Sequence, residues 1–207
     1  VPCIIGNMAA GQVAIKFQAN GPCIDVVTAC ATSTHAIGEA YRAIKHGYAD
    51  AILSGGTDKA VIPIGVAAFA NAKTLSKIED PKKASLPFNA NRDGFVMAEG
   101  SAVLMLEEYE HAKARGAKIY AEVVGYGSTC DAYHATAPNK EGTTQARCIS
   151  DALSEAGFDP KKDNLYVNAH GTGTAKNDEA EFLSLHTIFD EANPDLSVSS
   201  TKAMVGH

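Results

Sequence analysis

Short apolar runs alternate with amphipathic stretches along this chain, a pattern that predicts an α/β layer architecture with mainly parallel strand pairing. Residues 24–29 read as a buried strand and residues 31–46 as the helix that follows it. On that helix Ile37, Ala40, Tyr41, Ile44 and Tyr48 recur along one face, and Gly47 supplies a C-terminal stop. Residues 51–54 form a second short strand, closed by Gly55-Gly56, and residues 65–72 a weaker helix. Residues 76–98 break the alternation with Pro87, Asn89, Asn91 and Gly94. A polar loop of that length inside a compact domain often carries function.

The pattern then restarts. Residues 101–106 read as a strand, 108–115 as a charged helix ended by Gly116, and 119–124 as a strand. Residues 143–156 form a helix with Ala146, Ile149, Leu153 and Ala156 inward, stopped by Gly157. Residues 165–169 are a strand. Asp178 and Glu181 make a D-x-x-E start signal for a helix with Phe182, Leu185 and Phe189 on one side, and residues 196–200 are the last strand. No linker-like or low-complexity segment intervenes, so two packed α/β halves are expected to meet near residues 108–118.

Composition narrows the function classes. The 207 residues are 45% hydrophobic and 20% charged, as in an ordinary globular protein. With 18 Lys and Arg against 24 Asp and Glu, the net charge of −6 argues against a generic nucleic-acid or anionic-membrane surface. No apolar run approaches the roughly 20 residues that span a bilayer. The chain begins at Val1 without a secretory leader pattern and stops at His207 without a polar tail, so a piece of a longer protein is expected. Cys3, Cys23, Cys30, Cys130 and Cys148 are odd in number and include no Cys-x-x-Cys pair, which favours free thiols in a reducing, cytoplasmic compartment. Their spacing does not suit a structural zinc site.

Three segments place a reactive side chain just after a predicted strand, where active sites of α/β folds favour the carboxyl end. In the first, Asp25-Val-Val-Thr-Ala-Cys30-Ala-Thr-Ser-Thr, Cys30 stands where strand turns into helix. Unpaired amides there favour an anion and so a thiolate nucleophile; a small core cysteine at a tight turn is the plainer alternative. In the second, His170 opens the run His170-Gly-Thr-Gly-Thr174, either as a hydrogen-bond donor to a ligand or as a packed core histidine. In the third, Lys202 and His207 stand five apart in Thr201-Lys-Ala-Met-Val-Gly-His207, placed to enter a cleft or to lie in solvent.

The three segments together, with Gly55-Gly56-Thr-Asp, Pro87-Phe-Asn-Ala-Asn-Arg92-Asp-Gly-Phe95, Glu99-Gly-Ser-Ala and Leu106-Glu-Glu-Tyr-Glu-His-Ala-Lys-Ala-Arg-Gly116, resemble the β-ketoacyl-acyl-carrier-protein synthases of the thiolase superfamily, most closely the elongating enzymes of type II fatty-acid synthesis. The likeness covers essentially the whole chain, in order and with compatible spacing. It implies a thiolase-like layered αβαβα fold of two similar halves, incomplete at both ends here. Residues 1–110 would be the later part of the nucleophile half, and 111–207 the beginning of the half bearing the His/Lys/His set.

The resemblance also implies roles. Cys30 would accept the acyl group as a thioester, and malonyl-carrier would then lose carbon dioxide to give the attacking enolate. His170 and His207 would donate hydrogen bonds to the malonyl thioester oxygen, with Lys202 organising the second histidine. Thr172 and Thr174 would contact the phosphopantetheine arm. Phe69 would line the acyl tunnel, with ordinary core filling as its alternative. Lys73 would meet the acidic acyl carrier protein; Lys82 and Lys83 fit a solvated surface better. A homodimer is implied, formed through the strand before Cys30, and neither a cofactor nor a metal is.

Two stretches depart from the commonest family pattern: Ala175-Lys-Asn177 stands where many relatives carry Pro and Gly, and Lys202-Ala-Met-Val replaces Lys-Ser-Met-Thr. The resemblance further implies a Gly/Phe-rich loop beyond His207 that completes the oxyanion hole. Three rival readings remain: a polyketide-type ketosynthase, a thiolase-like acyltransferase, or a non-catalytic fragment of the synthase. A thiolase would pair its cysteine with a second, acidic cysteine and one histidine, which the His170, Lys202, His207 set disfavours. A metal hydrolase is weaker still, because His170 and His207 lack acidic or histidine neighbours at ligand spacing.

Overall fold

The computed structural model describes residues 4–189, 193 and 196–207. Cys3 lies outside them; Cys23, Cys30, Cys130 and Cys148 are free thiols. The chain divides into two compact units, one of residues 1–57 and 101–123 and the other of residues 58–100 and 124–207. Among the described residues no helix is long and apolar enough to cross a membrane.

In the first unit helix α1 spans Met8–Phe17 and helix α2 Thr32–Lys45, the latter preceded by a 3-10 turn at Ala29–Ala31. Helix α2 matches the predicted span, and Ala40 is buried on its inner face. Tyr48 is not part of that face: it follows the helix stop at Gly47, whose φ is +74°, and is exposed. Strand β1 spans Ala51–Asp58 and pairs with strand β2, Gly100–Glu107. The expected closure of β1 at Gly55-Gly56 is therefore wrong. These glycines lie inside the strand because a Cβ on Gly55 would strike the Ala102 carbonyl, and one on Gly56 would strike Ser33 Oγ.

Two predicted strands are absent. Residues 24–29 and 119–124 carry no strand, and Ile24 and Val27 are 67% and 80% exposed. Apolar β-branched sequence supplies the propensity, but a strand exists only where a neighbouring backbone completes the ladder. Helix α4, Tyr109–Ala114, follows β2 directly. Glu108 caps it by accepting from the His111 amide at 2.7 Å, and Gly116 ends it at φ +69°.

In the second unit helix α3 spans Pro63–Asn71 and leads into the long loop expected at 76–98. Helix α5, Thr143–Ala156, has the predicted bounds, buries Ala146 and stops at Gly157 with φ +74°. It packs against helix α6, Ala175–Phe189. Helix α6 starts three residues before Asp178, so the D-x-x-E pair lies within its first two turns rather than at its cap. Leu185 and Phe189 are buried, whereas Phe182 is 59% exposed and stacks on His186 instead of joining the core. Strands β3, Tyr166–Asn168, and β4, Ser197–Ser199, pair in parallel with Tyr166 opposite Ser197, and helix α7, Lys202–Val205, follows. Parallel pairing in that register delivers the residues after each strand to the same end of the sheet.

Candidate active site

Cys30 sits in the 3-10 turn at the entrance to α2 and is exposed. Ala29 before it has φ +52°, a left-handed conformation costly for a residue with a Cβ. Local bonds hold that turn: the Thr28 amide donates to Thr32 Oγ1 at 2.9 Å, the Ala31 amide to the Thr28 carbonyl at 3.2 Å, and Thr28 Oγ1 lies 2.6 Å from His35 Nδ1. The bend leads from residues 22–28, which form no regular element, through the 3-10 turn that holds the thiol into α2.

The histidines and Lys202 belong to the second unit. His170 follows β3 and Lys202 follows β4, and the two loops are tied where they emerge. The Ala169 amide donates to the Ser199 carbonyl at 2.7 Å, the Thr201 amide to Asn168 Oδ1 at 3.0 Å, and Ser200 Oγ to the Gly171 carbonyl at 3.0 Å. Gly171 must be glycine: its φ is +41°, and a Cβ would lie 2.5 Å from that of Ser200. His207 comes back onto the polar loop, its amide donating to the Val96 carbonyl and its carbonyl accepting from the Ala98 amide, both at 2.7 Å. The imidazoles of His170 and His207 thereby meet at 5.2 Å between ring centroids, nearly perpendicular at 87°.

Both imidazoles are held in the neutral form. Burial, reinforced by the positive charge of Lys202 and by His207, pushes His170 down to about 4, with Asp178 opposing the shift. Burial and then Lys202 lower His207 as well, against the opposing charge of Asp58. Each ring therefore keeps one N–H donor and no charge at neutral pH. Thr172 is buried and Thr174 half-buried, and their hydroxyls hydrogen-bond each other at 2.9 Å.

The spacing of Asp178 and Glu181 predicts a helix start; their carboxylates instead organise the loops. Glu181 accepts from the His170 amide at 2.6 Å and the Gly171 amide at 2.7 Å. Asp178, only 2% exposed, accepts from the Phe88 amide at 2.7 Å and the Gly173 amide at 3.2 Å. Arg92 Nε faces it at 3.7 Å. Asn177, one of the departures from the family pattern, donates to both carboxylates, at 3.1 and 3.4 Å. Spacing by three had put both acids on one face of α6, but which loops that face meets is a tertiary matter. Phe69 lies on α3, partly exposed, with its ring 5.4 Å from that of Phe95. Lys73, just past the end of α3, is exposed with φ +56°.

Residues 1–112 match the family model described as beta-ketoacyl synthase, N-terminal domain, and residues 120–207 match beta-ketoacyl synthase, C-terminal domain. The chain is 49% identical over its whole length to a 3-oxoacyl-(acyl-carrier-protein) synthase 2 from Synechocystis sp., and 48% identical to one from Staphylococcus aureus. It covers 50% and 51% of those proteins, so it spans about half the length of the curated relatives it matches. Among solved structures, a type II PKS acyl-carrier protein in complex with its ketosynthase bound to the hexaketide superposes with a TM-score of 0.94 at 39% identity, over 99% of this chain and 50% of that one. A beta-ketoacyl synthase from Burkholderia phymatum gives 0.87 at 37%, over 97% of this chain and 48% of that one. The fold is the thiolase-like ketosynthase fold, and the chain belongs to the beta-ketoacyl synthase family.

Proposed function

We propose that the chain carries the nucleophile and the charge-stabilising set of a 3-oxoacyl-acyl-carrier-protein synthase that elongates fatty acids. The Cys30 thiolate attacks the carbonyl of an acyl-carrier thioester, a new carbon–sulfur bond forms and the carrier thiol leaves. Malonyl-carrier then loses carbon dioxide, and the enolate so formed attacks the Cys30 thioester and expels the thiolate. The observation that carries this reading is the pair of neutral imidazoles, His170 and His207, one ring against the other. A developing enolate is stabilised by neutral N–H donors and is not quenched by them, as it would be by an imidazolium. Burial first, and then the charge of Lys202, keeps the pair neutral.

In the same reading residues 1–110 belong to the nucleophile half and 111–207 to the histidine half. Thr172 and Thr174 meet the phosphopantetheine arm and Phe69 meets the acyl chain. Lys73 lies towards the acidic carrier protein, the exposed segment with Ile24 and Val27 supports pairing with a second subunit, and the enzyme is cytoplasmic. Higher identity to the two curated synthases than to the polyketide ketosynthase, 49% and 48% against 39%, favours fatty-acid over polyketide elongation. The full-length protein incubated with acyl-carrier substrate is expected to gain the acyl mass on the Cys30 peptide, and Cys30→Ala to gain none. Acylation of Cys130 or Cys148 instead would refute the assignment.

A further inference from the structure

Phe95, in the polar loop, is an aromatic residue to which the reaction above gives no task. Its backbone is fixed: its amide donates to the Thr74 carbonyl at 3.0 Å, and its carbonyl accepts from the Ser76 amide at 2.9 Å. The next residue, Val96, is the one that receives the His207 amide. The Phe95 ring makes two T-shaped contacts, with Phe69 at 5.4 Å and 79° and with His207 at 5.0 Å and 64°. His207 is thus held between a phenyl ring and the imidazole of His170.

The torsion that sets the plane of an imidazole is intrinsically broad, so neighbours must define it. A T-shaped aromatic contact does so because a ring's positive edge seeks another ring's negative face, and rotation loses that match. A hydrogen-bond donor aimed at a charge that develops only during reaction depends on such preorganisation.

We propose that Phe95 is a positioning residue for His207: its ring, backed by Phe69, fixes the imidazole plane and hence the direction of the N–H that meets the enolate oxygen. This rests on the donor role given to His207 above. Phe69 is the outer ring of the row, 41% exposed on α3, and its contact with Phe95 connects it to His207.

The test separates the half-reactions in the full-length protein, with acyl loading read by mass and malonyl-carrier decarboxylation by carbon dioxide release. Phe95→Leu removes the ring and keeps the apolar character. It is expected to lower kcat for decarboxylation about tenfold, with KM and acyl loading within about twofold, and Phe95→Tyr to restore the rate. If the wild type performs both half-reactions while Phe95→Leu decarboxylates normally, or loses loading and decarboxylation equally, positioning is overturned and the functional reading stands. A wild type that performs neither overturns both. Phe69→Ala, at a partly exposed position, keeps the question decidable if Phe95→Leu misfolds. Read on malonyl-carrier alone, with no acyl group on Cys30 for the Phe69 ring to meet, it is expected to lower the same kcat about threefold. No change in that kcat overturns the proposal.

Discussion

Removing the Glu181 carboxylate tests whether α6 holds the His170 loop. Glu181→Ala takes the acceptor from two amides, His170 at 2.6 Å and Gly171 at 2.7 Å. Hydrogen bonds to an ionised acceptor contribute about 1.5–3 kcal/mol each, and Gly171 is buried where water does not readily replace the lost partner. Taking the lower end for both, because the carboxylate itself is half-buried, gives a loss of about 3 kcal/mol. For a unit of 150–250 residues that lowers Tm by roughly 6–12 °C. Glu181→Gln keeps one acceptor oxygen and sets an amino group against the other N–H, so about half the loss is expected. Glu179, exposed on the same helix, is the control, and Glu179→Gln is expected to change stability by less than about 0.5 kcal/mol. Thermal and denaturant unfolding of the full-length variants supply the measurement. A Glu181→Ala variant within about 1 kcal/mol of the wild type would refute the clamp.

Two further outcomes follow from the same structure. The folded-state pKa of His170 lies at about 4 against an ordinary 6.5, so its contribution is fully present above pH 6.5 and is lost as pH falls towards 4. About 3 kcal/mol of acid sensitivity is expected, and His170→Gln should flatten the pH dependence of unfolding by that amount; parallel curves would contradict it. Gly55→Ala drives a methyl into the Ala102 carbonyl across the β1–β2 pair, whereas a Cβ on Gly100 meets nothing within 4 Å. The first is expected to destabilise by about 2–3 kcal/mol and the second by under about 0.5 kcal/mol, and equal Tm values would remove the packing argument.

What the sequence made legible was the locally encoded part. Helix α5 is predicted at its observed bounds because its apolar spacing and the stop at Gly157 both lie within the segment. Cys30, His170, Lys202 and His207 stood out because each follows an apolar run in a Gly-, Ser- or Thr-rich stretch. The strands expected at 24–29 and 119–124 failed for the opposite reason: a strand depends on a partner distant in sequence. The same non-locality hid Glu181 and Phe95. Their roles arise only when α6 meets the loop after β3 and when residues 95–98 fold beside His207. Gly55-Gly56 misled as a turn signal because glycine also marks places where backbone must approach closely.

The two α6 carboxylates have a consequence for how the molecule breathes. Amides of Phe88, His170, Gly171 and Gly173, drawn from two loops far apart in sequence, all end on acids one helical turn apart. Each of the four must part from its carboxylate on the helix before its hydrogen can exchange with solvent. The protection of the Phe88 amide against deuterium should therefore converge with that of residues 170–173 on one opening free energy, although the two loops are far apart in the chain. The histidine loop and the polar loop are thereby expected to open as one piece, joined at the first two turns of α6.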